Sequence, residues 1–139
     1  MKKTLSFAAL LIAILFSIQA SVHAQAQTPS LKNTNWKLFV PDLNDTITLH
    51  IKADSSYVTT TAGDSVVRSV CKVSADTLSF TDYDGQYACP NQTGKYLINL
   101  SDDANTLTLT LIDDPCDGRA GAINKIKWSR AAAPPTAQK

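Results

Sequence analysis

Apolar and polar residues alternate with a period of two along most of the chain between Trp36 and Arg130, the pattern of strands with one buried and one wet face. The plainest instance begins at Thr106, where Thr106, Thr108 and Thr110 interleave with Leu107, Leu109 and Leu111. The same reading gives strands over 36–40, 46–52, 56–61, 65–73, 77–82 and 94–100, then the strand opening at Thr106, then a last one over 123–130. Turn formers separate them: Pro41 to Asp45, Ala62-Gly63-Asp64, Ser74-Ala75-Asp76, Tyr83 to Thr93, Ser101 to Asn105 and Asp113 to Ala122. These links are short and leave no room for a crossover helix, so consecutive strands are expected to be antiparallel neighbours. Eight such strands in sequence order close into an all-β, up-and-down antiparallel barrel that has no open edge. A two-sheet sandwich is the alternative, and it calls for a long Greek-key return that the chain does not offer.

Ahead of this pattern, Lys2 and Lys3 precede an apolar run from Leu5 to Ile18 and then small residues, which reads as a signal peptide over 1–24 cut after Ala24, with Ala24-Gln25-Ala26 as a second site. The run falls short of the roughly 20 apolar residues that span a bilayer, and no cysteine sits at either cut to carry a lipid. The expected product is periplasmic or secreted, with a barrel domain over 31–130 and a Pro/Ala-rich disordered tail over 131–139. Without Lys2 and Lys3 the 13 basic residues become 11, against 12 acidic ones, a formal charge of −1. That balance argues against nucleic acid or an anionic membrane surface as partner. The acidic residues are all Asp, and Thr is abundant, a composition for strands and turns. His50 is the only histidine beyond the signal, so no multi-histidine metal site and no metal or other cofactor is expected.

The meander makes a statement about the cysteines. Export favours disulfides, and in an up-and-down barrel the links after odd-numbered strands share one rim. Cys89 follows the fifth strand and Cys116 the seventh, so the two are expected to pair. Cys71 lies towards the other rim, in phase with Val67 and Val73, and reads as a buried free thiol. If the first and last strands pair to close the barrel, Arg130 arrives at Trp36, where a guanidinium over the indole makes a structural cation–π contact.

The run Leu31 to Leu38 (LKNTNWKL), the arginine that ends the last strand and the meander between them resemble the lipocalin-like, or calycin, small barrels. In lipocalins a basic residue from the end of the barrel packs on the first-strand tryptophan, as expected of Arg130 and Trp36. Where lipocalins carry glycine two residues before that tryptophan, this chain has Thr34, and it also lacks the helix that follows their barrel. Thr81-Asp82-Tyr83 matches a lipocalin loop tripeptide. The segments DTLSFTD, GKY, TLTLTLIDDPCDGR and KWSR are similar to those of short secreted bacterial β proteins of unassigned function described as lipocalin-like.

The resemblance implies a non-enzymatic protein that holds a small apolar or amphipathic ligand in its lumen. The expected ligand-binding residues are Trp36, Leu38, Leu49, Phe80, Tyr96, Ile98 and Trp128, with Ile47, Leu78 and Ile126 also facing inwards. Side chains that fill the lumen completely are the competing expectation. A second candidate is the rim, where Asp82-Tyr83-Asp84-Gly85 and the run Asp113 to Arg119 gather carboxylates. These suit either a calcium or polar-ligand mouth or plain turn formation, with Arg119 able to pair with Asp113 or Asp114. The alternative function is a secreted module that binds a protein partner through its rim loops, such as a protease inhibitor acting through the segment Gln25 to Ser30. A hydrolase would require a cleft and an aspartate of raised pKa.

Overall fold

The computed structural model describes residues 30–132; the expected signal peptide, residues 25–29 of the segment after it and residues 133–139 of the expected tail lie outside the described residues. Eight strands form one closed antiparallel barrel in sequence order: β1 (Thr34–Val40), β2 (Asp45–Ile51), β3 (Ser55–Thr59), β4 (Ser65–Ser74), β5 (Thr77–Asp84), β6 (Thr93–Leu100), β7 (Thr106–Asp113) and β8 (Lys127–Arg130). The meander expected from the alternation is thus the fold. Closure comes from β1 against β8, with Trp36 opposite Arg130 and Lys37 opposite Ser129. β-Bulges at Val66 in β4, Tyr83 in β5 and Ile112 in β7 shift the register opposite Val58/Thr59, Arg68/Ser69 and Lys95/Tyr96, which adds the local bend and twist a small barrel needs.

The structure departs from the sequence expectation on the approach to the last strand. Residues Asp117–Ile123 form a helix, α1, and β8 begins only at Lys127, whereas the alternation suggested a strand from Ile123. Gly118 and Gly121 make this a poor helix on propensity alone. What holds it is its N-terminus: Cys116 is the N-cap residue, its sulfur accepts from the Arg119 N–H at 3.4 Å, and Cys116 is tied to Cys89 by the expected disulfide. The linked residues are 27 apart in sequence, for which chain-entropy reasoning gives about 3–4 kcal/mol of stabilisation. Pro41–Leu43 adds one 3₁₀ turn between β1 and β2, ended by Asn44 in the left-handed conformation.

One end of the barrel is packed solid. Leu31, Trp36, Ile51, Leu78, Tyr96, Leu107 and Leu109 are all at most 1 % exposed and stack there behind the tight turns after β2, β4 and β6. The buried indole N–H of Trp36 donates to Thr34 Oγ1 at 2.7 Å, and the Thr34 hydroxyl donates to the Leu31 carbonyl at 2.5 Å. Thr34 therefore does what a glycine could not: it satisfies an indole that would otherwise be a buried unpaired donor. Arg130 lies over the Trp36 ring, with its guanidinium carbon 4.7 Å from the centroid, and its Nε donates to the Ala104 carbonyl at 2.7 Å.

Cys71 is buried in the same end and unpaired, opposite Phe80 on β5. Burial pushes its thiol up to about 11, so it is both shielded and protonated at neutral pH. Iodoacetamide should leave the native protein unlabelled and add one carbamidomethyl group after denaturation without reductant, three after reduction, as read by intact-mass spectrometry. Two or three labels without reductant would contradict the pairing described.

Candidate functional site

The other end of the barrel, where the links after β1, β3, β5 and β7 gather, is built differently. Down the inner face from this rim, β2 presents Asp45, Ile47 and Leu49, and β4 presents Ser65, Val67 and Ser69. Val58 of β3, Phe80 and Asp82 of β5, Val40 of β1 and Trp128 of β8 complete the walls. Together they enclose a cavity of about 1030 Å³ that opens at the rim between Leu43, Asp64, Tyr87 and α1. The walls are mainly apolar, and the carboxylates stand mostly at the mouth. Trp128 lines the cavity and is 3 % exposed; its Nε1 is a buried donor without a partner.

One side of the cavity is held by a buried charge cluster. Because side chains alternate along β5, Asp82 falls in phase with Leu78 and Phe80 and so points inwards, 1 % exposed. Arg119, from the first turns of α1, reaches back to meet it: Nη1 lies 2.7 Å from Asp82 Oδ2, a close ion pair whose angle is not that of a hydrogen bond. The same guanidinium grips Asp114 in the bidentate manner, Nε to Oδ2 at 2.7 Å and Nη2 to Oδ1 at 2.8 Å, and Nη2 also donates to the Gln92 carbonyl at 3.0 Å. Asp82 is completed by the Ser69 hydroxyl at 2.7 Å and the Cys89 N–H at 2.9 Å. Asp114 accepts from the Cys116 N–H at 2.8 Å and, in a short hydrogen bond, from the Tyr96 hydroxyl. Both half-cystines are therefore wired to the cluster through their backbones.

The same packing explains Gly94, which faces Phe80 across the β5–β6 ladder. A Cβ there would run into the Asp114 carboxylate and the Tyr96 ring.

Protonation follows from these contacts. Burial alone would raise the Asp114 carboxyl, but Arg119, the Tyr96 hydroxyl and the Cys116 N–H hold it below the ordinary carboxylate range. Burial and the adjacent Asp114 raise the Tyr96 phenol, so it stays a donor. Burial works against the charge of Arg119, yet its two carboxylates more than offset this and secure it.

Of the residues expected to bind ligand, Leu49, Phe80 and Trp128 line the cavity, as does Ile47. Trp36 and Tyr96 are fully buried below it, and Leu38, Ile98 and Ile126 are half-buried against the core. The expected cation–π pair, Trp36 and Arg130, is in place at the closed end. The rim aspartates do not form a cation site: Asp82 and Asp114 converge on a guanidinium, and no group of three or more potential ligands is assembled among the described residues. Arg119 chooses Asp114 over Asp113. His50 stands outside the barrel, stacked 4.3 Å from Tyr57 and 3.0 Å from both Asn35 Oδ1 and Thr59 Oγ1. Compared with protein families, curated proteins and solved structures, the chain matches none.

Removing the guanidinium leaves two buried carboxylates without a counter-ion. Arg119→Ala should cost about 3–5 kcal/mol in urea unfolding, and Arg119→Lys should restore little because it cannot span both partners.

The acid limb carries a second test. Since Asp114 is depressed in the folded state, its contribution is present above the unfolded value near 4 and is lost as the pH falls through the lower folded value. Asp114→Asn should be less stable at neutral pH yet lose less between about pH 5 and 2 than the wild type. A variant with an unchanged acid slope would contradict this assignment.

Proposed function

We propose that the protein is an exported, lipocalin-like barrel that carries one small apolar or amphipathic molecule in its open half. The observation behind this reading is the cavity of about 1030 Å³ itself. It lies at the upper end of the size of small-molecule sites, and Val40, Ile47, Leu49, Val58, Val67 and Phe80 give it apolar walls. An eight-stranded barrel can either fill its lumen or hold one ligand, and here the filled half sits under an unfilled one. Export is supported by the Cys89–Cys116 disulfide, and among the described residues no helix is long and apolar enough to cross a membrane. A binding role is favoured over hydrolysis because the two buried carboxylates are already bound to Arg119, and Asp114 is depressed rather than raised. Leu43 and Tyr87 at the mouth, about half-exposed, and Tyr83 nearby on β5 favour a second reading in which rim loops also meet a protein partner.

Native mass spectrometry of protein exported by its own signal, compared with the same sample denatured, tests the first reading. The denatured mass should match residues 25–139 with one disulfide, and the native species should be heavier by one ligand. Val67→Trp, which fills the lumen from β4, should abolish the adduct. If the native protein carries no adduct and does not bind an apolar fluorophore one to one, the reading fails.

A further inference from the structure

We infer that the cavity selects cationic amphiphiles: molecules with an alkyl or aryl body and a protonated amine or quaternary ammonium head. This rests on the lumen being a ligand site and adds the chemical class of the ligand. The residues lining the cavity include four carboxylates, Asp45, Asp64, Asp82 and Asp117, and one guanidinium, Arg119, a formal charge of −3, with no lysine or histidine among them. Arg119 is not available to a ligand. Its side chain is 7 % exposed, and its charge is matched by the carboxylates of Asp82 and Asp114, with Nη2 also donating to the Gln92 carbonyl. An entering molecule therefore meets only negative charge.

The carboxylates left over stand where a head group would come to rest. Asp45 opens β2, Asp64 lies in the link before β4, and Asp117 is in the first turn of α1, so three separate elements each put one acid at the mouth. Asp64 and Asp117 are exposed and make no ion pair, and Asp45 is fixed by accepting the N–H groups of Thr46 at 2.7 Å and Thr61 at 3.3 Å. Tyr87, half-exposed, lines the same cavity, and an aromatic ring can take a cation on its face. Deeper in, Ile47, Leu49, Val58 and Phe80 receive the apolar body. A fatty-acid carboxylate would find repulsion at the mouth and, below it, only a guanidinium whose charge two carboxylates already match.

Charge is the variable to isolate, with chain length held constant. Decyltrimethylammonium, decanol and decanoate would be competed against the neutral fluorophore 1-aminoanthracene on the full exported chain at pH 7 and low ionic strength. A cation about 6 Å from a carboxylate in water-like surroundings gains roughly threefold in affinity and an anion loses as much, so two or more carboxylates predict decyltrimethylammonium about a hundredfold tighter than decanoate, with decanol between. The double variant D64N/D117N, which leaves Asp45, should shrink that ratio to about tenfold or less, and 0.5 M salt should shrink it in the wild type through screening. Because the ratio compares two ligands on one protein, a general loss of folding cannot produce the change. Decanoate binding as tightly as the cation, or a ratio untouched by the variant, would overturn the inference while leaving the lumen reading intact. If neither the fluorophore nor any of the three ligands binds, the lumen reading itself falls and takes this one with it.

Discussion

The open half of this barrel depends on Arg119. A seven-residue helix with two glycines has no hold on the barrel from propensity, and beside its capped, disulfide-tied N-terminus it is anchored by a guanidinium inserted between Asp82 on the β5 wall and Asp114 just past the end of β7. Through Asp114 the cluster reaches Tyr96 and Cys116; through Asp82 it reaches Ser69 and Cys89. The disulfide and the ion cluster thus tie the same two links together, one covalently and one electrostatically. Neither charge type could be buried alone: a lone carboxylate facing the lumen would have to neutralise or draw in water. The buried partners tie β5, the link after β7 and α1 to one another along one side of the open space.

The two ends of the barrel obey different rules because their links differ. At the closed end, tight turns bring β2 to β3, β4 to β5 and β6 to β7, and large side chains from Leu31, Trp36 and Tyr96 fill the lumen. Thr34 makes that filling affordable by pairing the indole of Trp36. At the open end, residues 85–92 and 114–126 form links long enough to carry a helix and a disulfide, and the inward positions there are smaller: Val58, Val67, Ser65 and Ser69. Residue size along each strand, not strand number, decides which half is hollow.

Much of this is legible in the sequence. Period-two alternation gives the meander, and the meander puts Cys89 with Cys116 and Trp36 with Arg130, because both pairings follow from topology alone. The helix is not legible: its residues alternate weakly enough to extend the β8 pattern back to Ile123, and the contacts that hold it are tertiary. Asp82 is an instructive case. In the run Asp82-Tyr83-Asp84-Gly85 it looks like one more turn former, yet it keeps the parity of Leu78 and Phe80. Parity alone places a carboxylate inside the barrel, and an inward carboxylate requires a buried cation. Arg119 could have been found by that requirement. The division of the lumen into filled and open halves could not, because it depends on how Trp36 and Tyr96 occupy volume in three dimensions.

The electrostatics of the mouth follow from the same arrangement. Arg119 is the one base among the residues around the cavity, and it is spent on two buried acids, so the cluster it forms carries a net negative charge beside the lumen. Such a charge, facing a low-dielectric apolar wall, is screened less than one in open water. The carboxylates at the mouth add to it in sign. A structural device that holds α1 in place therefore also biases what the cavity admits: the interaction that ties one side of the open space together sets the charge of the molecule that fits it.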